Sequence, residues 1–185
     1  MTRDTRDSIV SALISLAKQN PQRSSFTMTE IAAEAGISRQ AIYQKHFNNF
    51  GDIIEYIHDE TNQHIFKIFN KYCPNNNGDP ITFLADHILP LIYEKREIVS
   101  TLYTTQVDPC WKDFLSKTYS EWVLQNVNYK LKYNFSKEDI AYIITTMAIS
   151  FIEVWIRKEN PIPPKEFRET FIQLAKTSLC DYIVS

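Results

Sequence analysis

The sequence predicts an all-α protein built from long helices with few connections between them. Only three glycines occur among the 185 residues, and a β-rich fold with many tight turns needs more of them. Apolar side chains instead recur at helical spacing along most of the chain. Prolines and polar clusters separate these stretches, as they commonly do between helices.

The predicted helices follow one another along the whole chain. The first covers 4–19 and ends at Asn20-Pro21, because proline cannot continue a helix. The stretch 95–106 is predicted to be helical, either kinked against its predecessor or separate from it. The later helices are expected at 28–35, 39–46, 50–72, 80–94, 95–106, 110–133, 137–158 and 165–183. The breaks between them are polar or proline-rich, at Asn48-Asn49, 74–80 and 161–164.

The most informative stretch is 27–47, with the sequence TMTEIAAEAGISRQAIYQKHF. Thr27 and Glu30 have the spacing of a capping box, in which each side chain bonds the other's backbone amide. Gly36 suits the left-handed residue that ends a helix, and Ser38 suits the cap of the next one. Two short helices joined by a three-residue turn are therefore predicted.

The second of these helices is expected to expose a polar face. Ala41 and Ile42 should pack inward, which leaves outward the side chains of Arg39, Gln40, Tyr43, Gln44 and Lys45. A helix-turn-helix with such a donor-rich second helix fits the major groove of DNA. The alternative is an ordinary helical hairpin, which also turns at glycine.

Position assigns each polar side chain a role on DNA. Arg39 and Gln40 are expected to contact base edges, since arginine pairs with guanine and glutamine with adenine through two hydrogen bonds. Gln44 lies one turn further on. Phosphate contacts or helix capping beside the DNA are expected of Thr27, Thr29, Ser38, Tyr43, Lys45 and His46. Packing under the first helix is the alternative for Tyr43, and a capping or packing role is the alternative for His46.

Charge supports this assignment modestly. The net charge is −2, but residues 1–50 carry six bases and four acids, whereas residues 51–185 carry 14 bases and 18 acids. A mildly basic N-terminal segment followed by an acidic remainder is typical of a small nucleic-acid-binding module attached to a larger domain.

The same residues resemble the TetR family of regulators over about 5–57. The pattern consists of Thr27, Ile31, Ala32, Ala35, Gly36, Ile37, Ser38, Ile42, Tyr43, His46 and Phe47. The stretch 147–164 is similar to the branch that contains the dihydroxyacetone-kinase activator. The resemblance implies a helix-turn-helix DNA-binding domain at 1–50 with three helices. It also implies a helical effector-binding and dimerisation domain at 51–185.

Two departures from the family pattern stand out. Tyr43 and Phe47 are four residues apart instead of three, so one extra residue either lengthens the recognition helix or bulges its end. Phe50 replaces a lysine that is common in the family. The amides at the start of the following helix are expected to remain available to a phosphate.

Two sets of apolar residues in the larger domain are candidates for binding. An effector pocket is expected to be lined by Tyr93, Tyr103, Trp111, Tyr119, Trp122 and Phe151. A homodimer interface is expected to include Phe151, Trp155, Phe167, Phe171, Leu174 and Ser178. Two wide apolar helices from each subunit would form a four-helix interface. The alternatives are plain core aromatics and a monomeric bundle.

Other chemistry is not indicated by the sequence. Neither a phosphate-binding loop nor a nucleophile–base motif occurs, so no catalytic residue, enzyme activity or cofactor is expected. The three cysteines are widely spaced, as in a reduced cytoplasmic protein. Glu94, Glu97, Asp108 and Asp113 are typical of solvated faces. No membrane span is expected, because Thr145, Thr146, Ser150 and Glu153 interrupt the most apolar helix.

The sequence therefore predicts a ligand-responsive repressor that binds a near-palindromic operator as a homodimer and responds to a small apolar effector. The alternative is a helical regulator whose switch is a protein partner or a metal. Suitable metal ligands are present, but they form no close pairs: His58, His64, Cys73, His87 and Cys110.

Overall fold

The computed structural model describes residues 5–73, 78–128 and 134–178, which contain ten α-helices and no strand. The predicted all-α class is confirmed. The helices are Thr5–Gln19 (α1), Met28–Ala35 (α2), Arg39–Lys45 (α3), Phe50–Phe69 (α4), Pro80–His87 (α5), Leu89–Glu94 (α6), Arg96–Thr104 (α7), Trp111–Asn126 (α8), Lys137–Ile156 (α9) and Pro164–Lys176 (α10).

One predicted helix, 80–94, is in fact two. Pro90 lies in the first turn of α6. A proline is tolerated there because the N–H groups of the first turn have no partner within the helix. Inside one continuous helix, the same proline would remove a hydrogen bond, so α5 ends before it. The helix α7 is separate from α6, since Lys95 leaves helical geometry between them. The predicted helix ends at Tyr133 and Ile183 lie outside the described residues, as do Cys180 and most of the 74–80 loop.

The chain divides into two compact units. The first contains Met1–His64 and Glu97–Trp111. Its core includes the fully buried side chains of Ile9, Leu13, Ile31, Ile42, Ile53 and Ile57. The backbone N–H of Gln106 donates to the carbonyl of Pro21 at 2.7 Å, so the segment after α7 is bonded to the turn after α1. The predicted boundary after residue 50 separates a DNA-binding function from an effector-binding function. It differs from this division by contacts and stays a prediction.

The second unit contains Ile65–Arg96 and Lys112–Ser185. One aromatic-rich part of its core consists of Ile65, Phe69, Tyr72, Phe83 and Ile88, with Tyr119 and Trp122 packed against it. Trp155 lies in another part, where it stacks on Phe167 at 4.6 Å between ring centroids. Its indole N–H donates to the carbonyl of Ile162 at 2.9 Å, which holds the proline-rich connection against the end of α9.

The helix α9 is more apolar than the sequence argument allowed. By length and composition alone it could cross a membrane, with a mean hydropathy of 1.6 over 18 residues. Three hydroxyl side chains and Glu153 do not lower this mean hydropathy below that of a possible span. The expectation that no segment spans a membrane stays a prediction. Only 28% of that stretch is buried in the single chain, and several apolar side chains of the helix, such as Met147 and Val154, are exposed.

Candidate nucleic-acid interface

The first helix of the hairpin begins at the predicted capping box. The Thr27 hydroxyl accepts a hydrogen bond from the Glu30 N–H at 3.2 Å, and the Thr27 N–H donates to the Glu30 carboxylate at 2.8 Å. Thr27 itself has extended backbone geometry, as an N-cap requires. The capping box is therefore confirmed, and it satisfies two amides at the start of α2.

An arginine that the sequence argument passed over reinforces this cap. Arg23 donates from both terminal nitrogens to the Glu30 carboxylate, at 2.9 and 3.2 Å, and lies over the Phe26 ring at 4.3 Å. The hydrogen bond from Arg23, followed by those from Thr27, lowers the pKa of Glu30 to about 2. The ion pair therefore links Arg23 to the start of α2.

The turn between the two helices has the predicted chemistry. Gly36 is left-handed, with φ 67° and ψ 27°, a conformation that costs a residue with a Cβ about 1 kcal/mol or more. The N–H groups of Gly36 and Ile37 donate back to the carbonyls of Ala33 and Ala32, which is the Schellman arrangement. The Ser38 hydroxyl then caps α3 by accepting from the Ala41 N–H at 3.1 Å.

The helix α3 divides its side chains as predicted. Ile42 is fully buried, a burial that stabilises the unit by about 1.5–3 kcal/mol. Arg39, Gln40 and Gln44 are exposed. Tyr43 is also exposed, by 38% of its surface, which argues against the alternative that its ring packs under the first helix.

The other predicted contact residues lie around this helix. Thr27 and Thr29 are exposed at the start of α2, while His46 is half-buried at the end of α3. The side chain of Lys45 lies outside what the structure describes. Thr27, Thr29, Arg39, Gln40 and Gln44 therefore all have the exposure that a contact with DNA requires.

The extra residue is accommodated at the end of α3. The N–H groups of His46 and Phe47 both donate to the carbonyl of Ile42, at 2.9 and 3.1 Å. The Phe47 bond reaches back five residues instead of four, which is a π-type turn that absorbs one additional residue. Phe47 is still buried, with its ring edge-on to Tyr56 at 5.4 Å. The bulge at the helix end is the alternative that the structure supports.

The start of α4 has a side-chain cap that the sequence argument did not predict. Asn49 caps the helix through its side-chain oxygen, which accepts from the Asp52 N–H at 3.0 Å, and the Asp52 carboxylate accepts from the Asn48 N–H at 2.8 Å. That backbone bond from Asn48 is the main cause of a lowered pKa at Asp52. A carboxylate of the same chain therefore lies at the start of α4, where it would repel a phosphate. The availability of the first amides of this helix to a phosphate stays a prediction.

Asp108 also departs from its expected place on a solvated face. It is buried, and its carboxylate lies 2.6 Å from the Nε2 atom of His58 on α4. It also accepts from the Cys110 N–H at 3.1 Å. Fifty residues separate His58 from Asp108, so no local sequence pattern could have paired them. The contact joins the segment after α7 to α4 within the first unit.

The six predicted pocket residues belong to two different compact units. Tyr103 and Trp111 are buried in the first unit, while the other four belong to the second. Of these, Trp122 packs on Phe69 at 4.3 Å between ring centroids, as a core residue would. A groove of about 600 Å³ in the second unit is lined by none of the six, but by α8 and α9 residues such as Lys117, Glu121 and Tyr142.

The predicted dimer residues separate into two kinds. Trp155, Phe167 and Phe171 are buried within the single chain, so assigning them to an accessible face needs correction. Phe151 and Leu174 are half-buried and Ser178 is exposed. The apolar residues of α9 that remain exposed are Tyr142, Ile143, Met147 and Val154. Periodicity alone missed this distinction, because both sides of α9 are apolar.

Solved structures resemble the whole chain. Two structures of NalD, the secondary repressor of the MexAB-OprM multidrug efflux pump in Pseudomonas aeruginosa, align with TM-scores of 0.67 and 0.61 at 17% and 16% identity. Each alignment covers 93% of this chain, and 93% and 95% of NalD. A TetR transcriptional regulator from Streptococcus agalactiae aligns with a TM-score of 0.56 at 16% identity, over 92% of this chain and 93% of its own.

Sequence comparison assigns the second half of the chain to a known protein family. No curated protein matches the sequence. Residues 83–177 match the TetR-type family described as "Transcriptional regulator C-terminal region", and this match covers more than half of the 185 residues. Together with the helix-turn-helix at 27–47, it identifies the chain as a member of the TetR family of transcriptional regulators.

Proposed function

We propose that this regulator is a repressor that binds a near-palindromic operator as a homodimer and releases it when a small apolar effector binds. The observation that carries the DNA-binding site is the division of α3. Ile42 anchors the helix while Arg39, Gln40 and Gln44 point away from the protein. Arg39 and Gln40 then contact base edges, with Thr27, Thr29 and Lys45 on phosphates and Ser38 and His46 closing the two ends of α3.

The uncovered face of α9 supports the homodimer. Ile143, Met147, Ser150 and Val154 recur every three or four residues and are all exposed, so they lie on one stripe of the helix. Val154 has 68% of its surface exposed. A second copy of the chain would remove this stripe from water, and two copies would hold their recognition helices about 34–36 Å apart, one turn of DNA.

The partly covered aromatic rings of the second unit support an apolar effector. Tyr93 and Phe151 are half-buried, although each contacts a buried ring, Trp155 at 5.8 Å and Phe171 at 6.3 Å. An effector that binds these rings more tightly in one conformational state of the dimer shifts the equilibrium toward that state. The shift in free energy cannot exceed the difference between its binding free energies for the two states. The resemblance of 147–164 to the dihydroxyacetone-kinase activator branch belongs to the same proposal, as does a cytoplasmic location, which the widely spaced cysteines favour.

DNA binding is tested with the full-length protein and a labelled duplex taken from upstream of its own gene. Fluorescence anisotropy should show saturable binding that survives excess random duplex and weakens steeply with salt. Replacing both Arg39 and Gln40 by alanine should abolish the preference for the upstream duplex. Equal affinity of the unaltered protein for upstream and random duplexes would contradict the proposal for that site.

A further inference from the structure

A contact within the recognition helix connects Arg39 to Tyr43. A terminal nitrogen of Arg39 donates to the Tyr43 hydroxyl at 3.3 Å, and the centre of the guanidinium lies 5.2 Å from the centre of the Tyr43 ring. The two residues are one helical turn apart. Side chains on a helix lean toward its N-terminus, so the tyrosine reaches back over the arginine.

The surroundings of Arg39 differ from those of Arg23, which lies just before the hairpin. Arg23 forms an ion pair with Glu30, whereas Arg39 has no ion pair with any described carboxylate. A ring attracts a guanidinium through its electron-rich face without cancelling the positive charge. The Tyr43 hydroxyl occupies one of the five N–H donors of Arg39, and the others remain available for a bidentate contact.

We infer that Tyr43 is a specificity-determining positioning residue that holds the Arg39 guanidinium at the groove-facing end of α3. This inference rests on the proposed DNA-binding function and departs from the phosphate contact that the sequence pattern assigned to Tyr43. An exposed arginine loses rotamer freedom when it binds a base. The tyrosine restricts that freedom before binding, so the guanidinium meets the guanine edge at a smaller entropic cost.

The test uses full-length protein and a library of duplexes with a randomised central segment. Proteins compared are the unaltered chain, Tyr43→Phe, Tyr43→Leu and Arg39→Ala, and the double variant Arg39→Ala with Tyr43→Leu. Sequencing of the bound fraction measures base preference at every position. Anisotropy measures affinity for the selected duplex and for a random one. Circular dichroism confirms folding, which Tyr43 should not affect because it is exposed.

The expected result is confined to one base pair of each half-site. Arg39→Ala removes the preference for guanine there, Tyr43→Leu weakens it roughly fivefold, and Tyr43→Phe weakens it roughly twofold because the ring remains. Affinity for random duplex stays the same. In the Arg39→Ala background, the Tyr43→Leu change has no further effect on that preference, since Tyr43 acts through Arg39.

Two results would overturn this role. Equal losses on selected and random duplexes for Tyr43→Leu, with or without Arg39, would make Tyr43 a phosphate contact. An unchanged guanine preference in Tyr43→Leu would show that the ring does not position Arg39. Selection of no sequence by the unaltered protein is a different outcome, because it would reject the proposed function and this role with it.

Discussion

The recognition hairpin at 27–47 and the last two helices, α9 and α10, differ in how their apolar side chains are used. In the hairpin the buried residues are few, and the polar residues between them are exposed. In α9 the apolar residues surround most of the helix, and the subunit buries only one side of it. The comparison shows that helical periodicity identifies a core face well only when the opposite face is polar.

The largest effect should come from the buried side of the last two helices. Phe171 has no exposed surface and contacts Phe151 and Phe167 edge-on or tilted. Phe171→Ala should lower the free energy of unfolding by about 3–5 kcal/mol, because it leaves a cavity. Urea denaturation followed by circular dichroism measures this. Gln173→Ala, at an exposed position of the same helix, is the matched control and should change it by less than about 0.5 kcal/mol.

The exposed side of α9 should control assembly and leave folding intact. Light scattering of the unaltered protein should give about twice 21.7 kDa. Met147→Asp should weaken the homodimer by roughly 2–4 kcal/mol, because it places a charge in an apolar interface. Lys158→Glu, an exposed charge change beyond the end of α9, should leave the mass unchanged. A stable monomer of the unaltered protein would reject the homodimer.

In the hairpin, a single exposed side chain should matter for DNA and not for stability. Arg39→Ala should cost roughly 1–3 kcal/mol per half-site on the cognate duplex and little on random DNA. Lys45→Ala should weaken both duplexes alike and reduce the slope of affinity against salt. Titrations at several salt concentrations separate the two outcomes. Losses for Arg39→Ala that are equal on both duplexes would reverse these roles.

The smallest effect concerns the cap of the hairpin in acid. The folded pKa of Glu30 is lowered to about 2 from 4.5, so its carboxylate stabilises the fold fully above pH 4.5. This contribution is lost as the pH falls toward about 2, when the carboxylate becomes protonated. The difference in melting temperature between the unaltered protein and Glu30→Gln should therefore shrink across this range. A difference that does not depend on pH would show that the ion pair with Arg23 is unimportant.

Local chemistry made much of the DNA-binding hairpin predictable. The Thr27–Glu30 box, the left-handed Gly36 and the Ser38 cap each involve atoms within five residues of one another. Their geometry depends on hydrogen bonds that the nearby sequence specifies. The outward direction of Arg39 follows from the same caps and from burial of Ile42.

The sequence argument missed three features, each for a different reason. The His58–Asp108 contact joins two segments fifty residues apart. The cap at Asn49 and Asp52 was within reach of sequence reasoning, since Asn at a helix start followed three residues later by an acid has capping-box spacing. The extra residue before Phe47 could have lengthened α3 or bulged its end, and packing of Phe47 against Tyr56 favours the bulge.

The sequence by itself determined the helical class, the polar recognition helix with its two caps, and an excess of apolar surface in the last two helices. Only the tertiary structure decided that Trp155, Phe167 and Phe171 fill the subunit's core while Ile143, Met147 and Val154 remain outside it. The physical reason is that burial depends on which elements pack together. Hydrophobicity favours removal from water without specifying whether the subunit or a partner provides the cover.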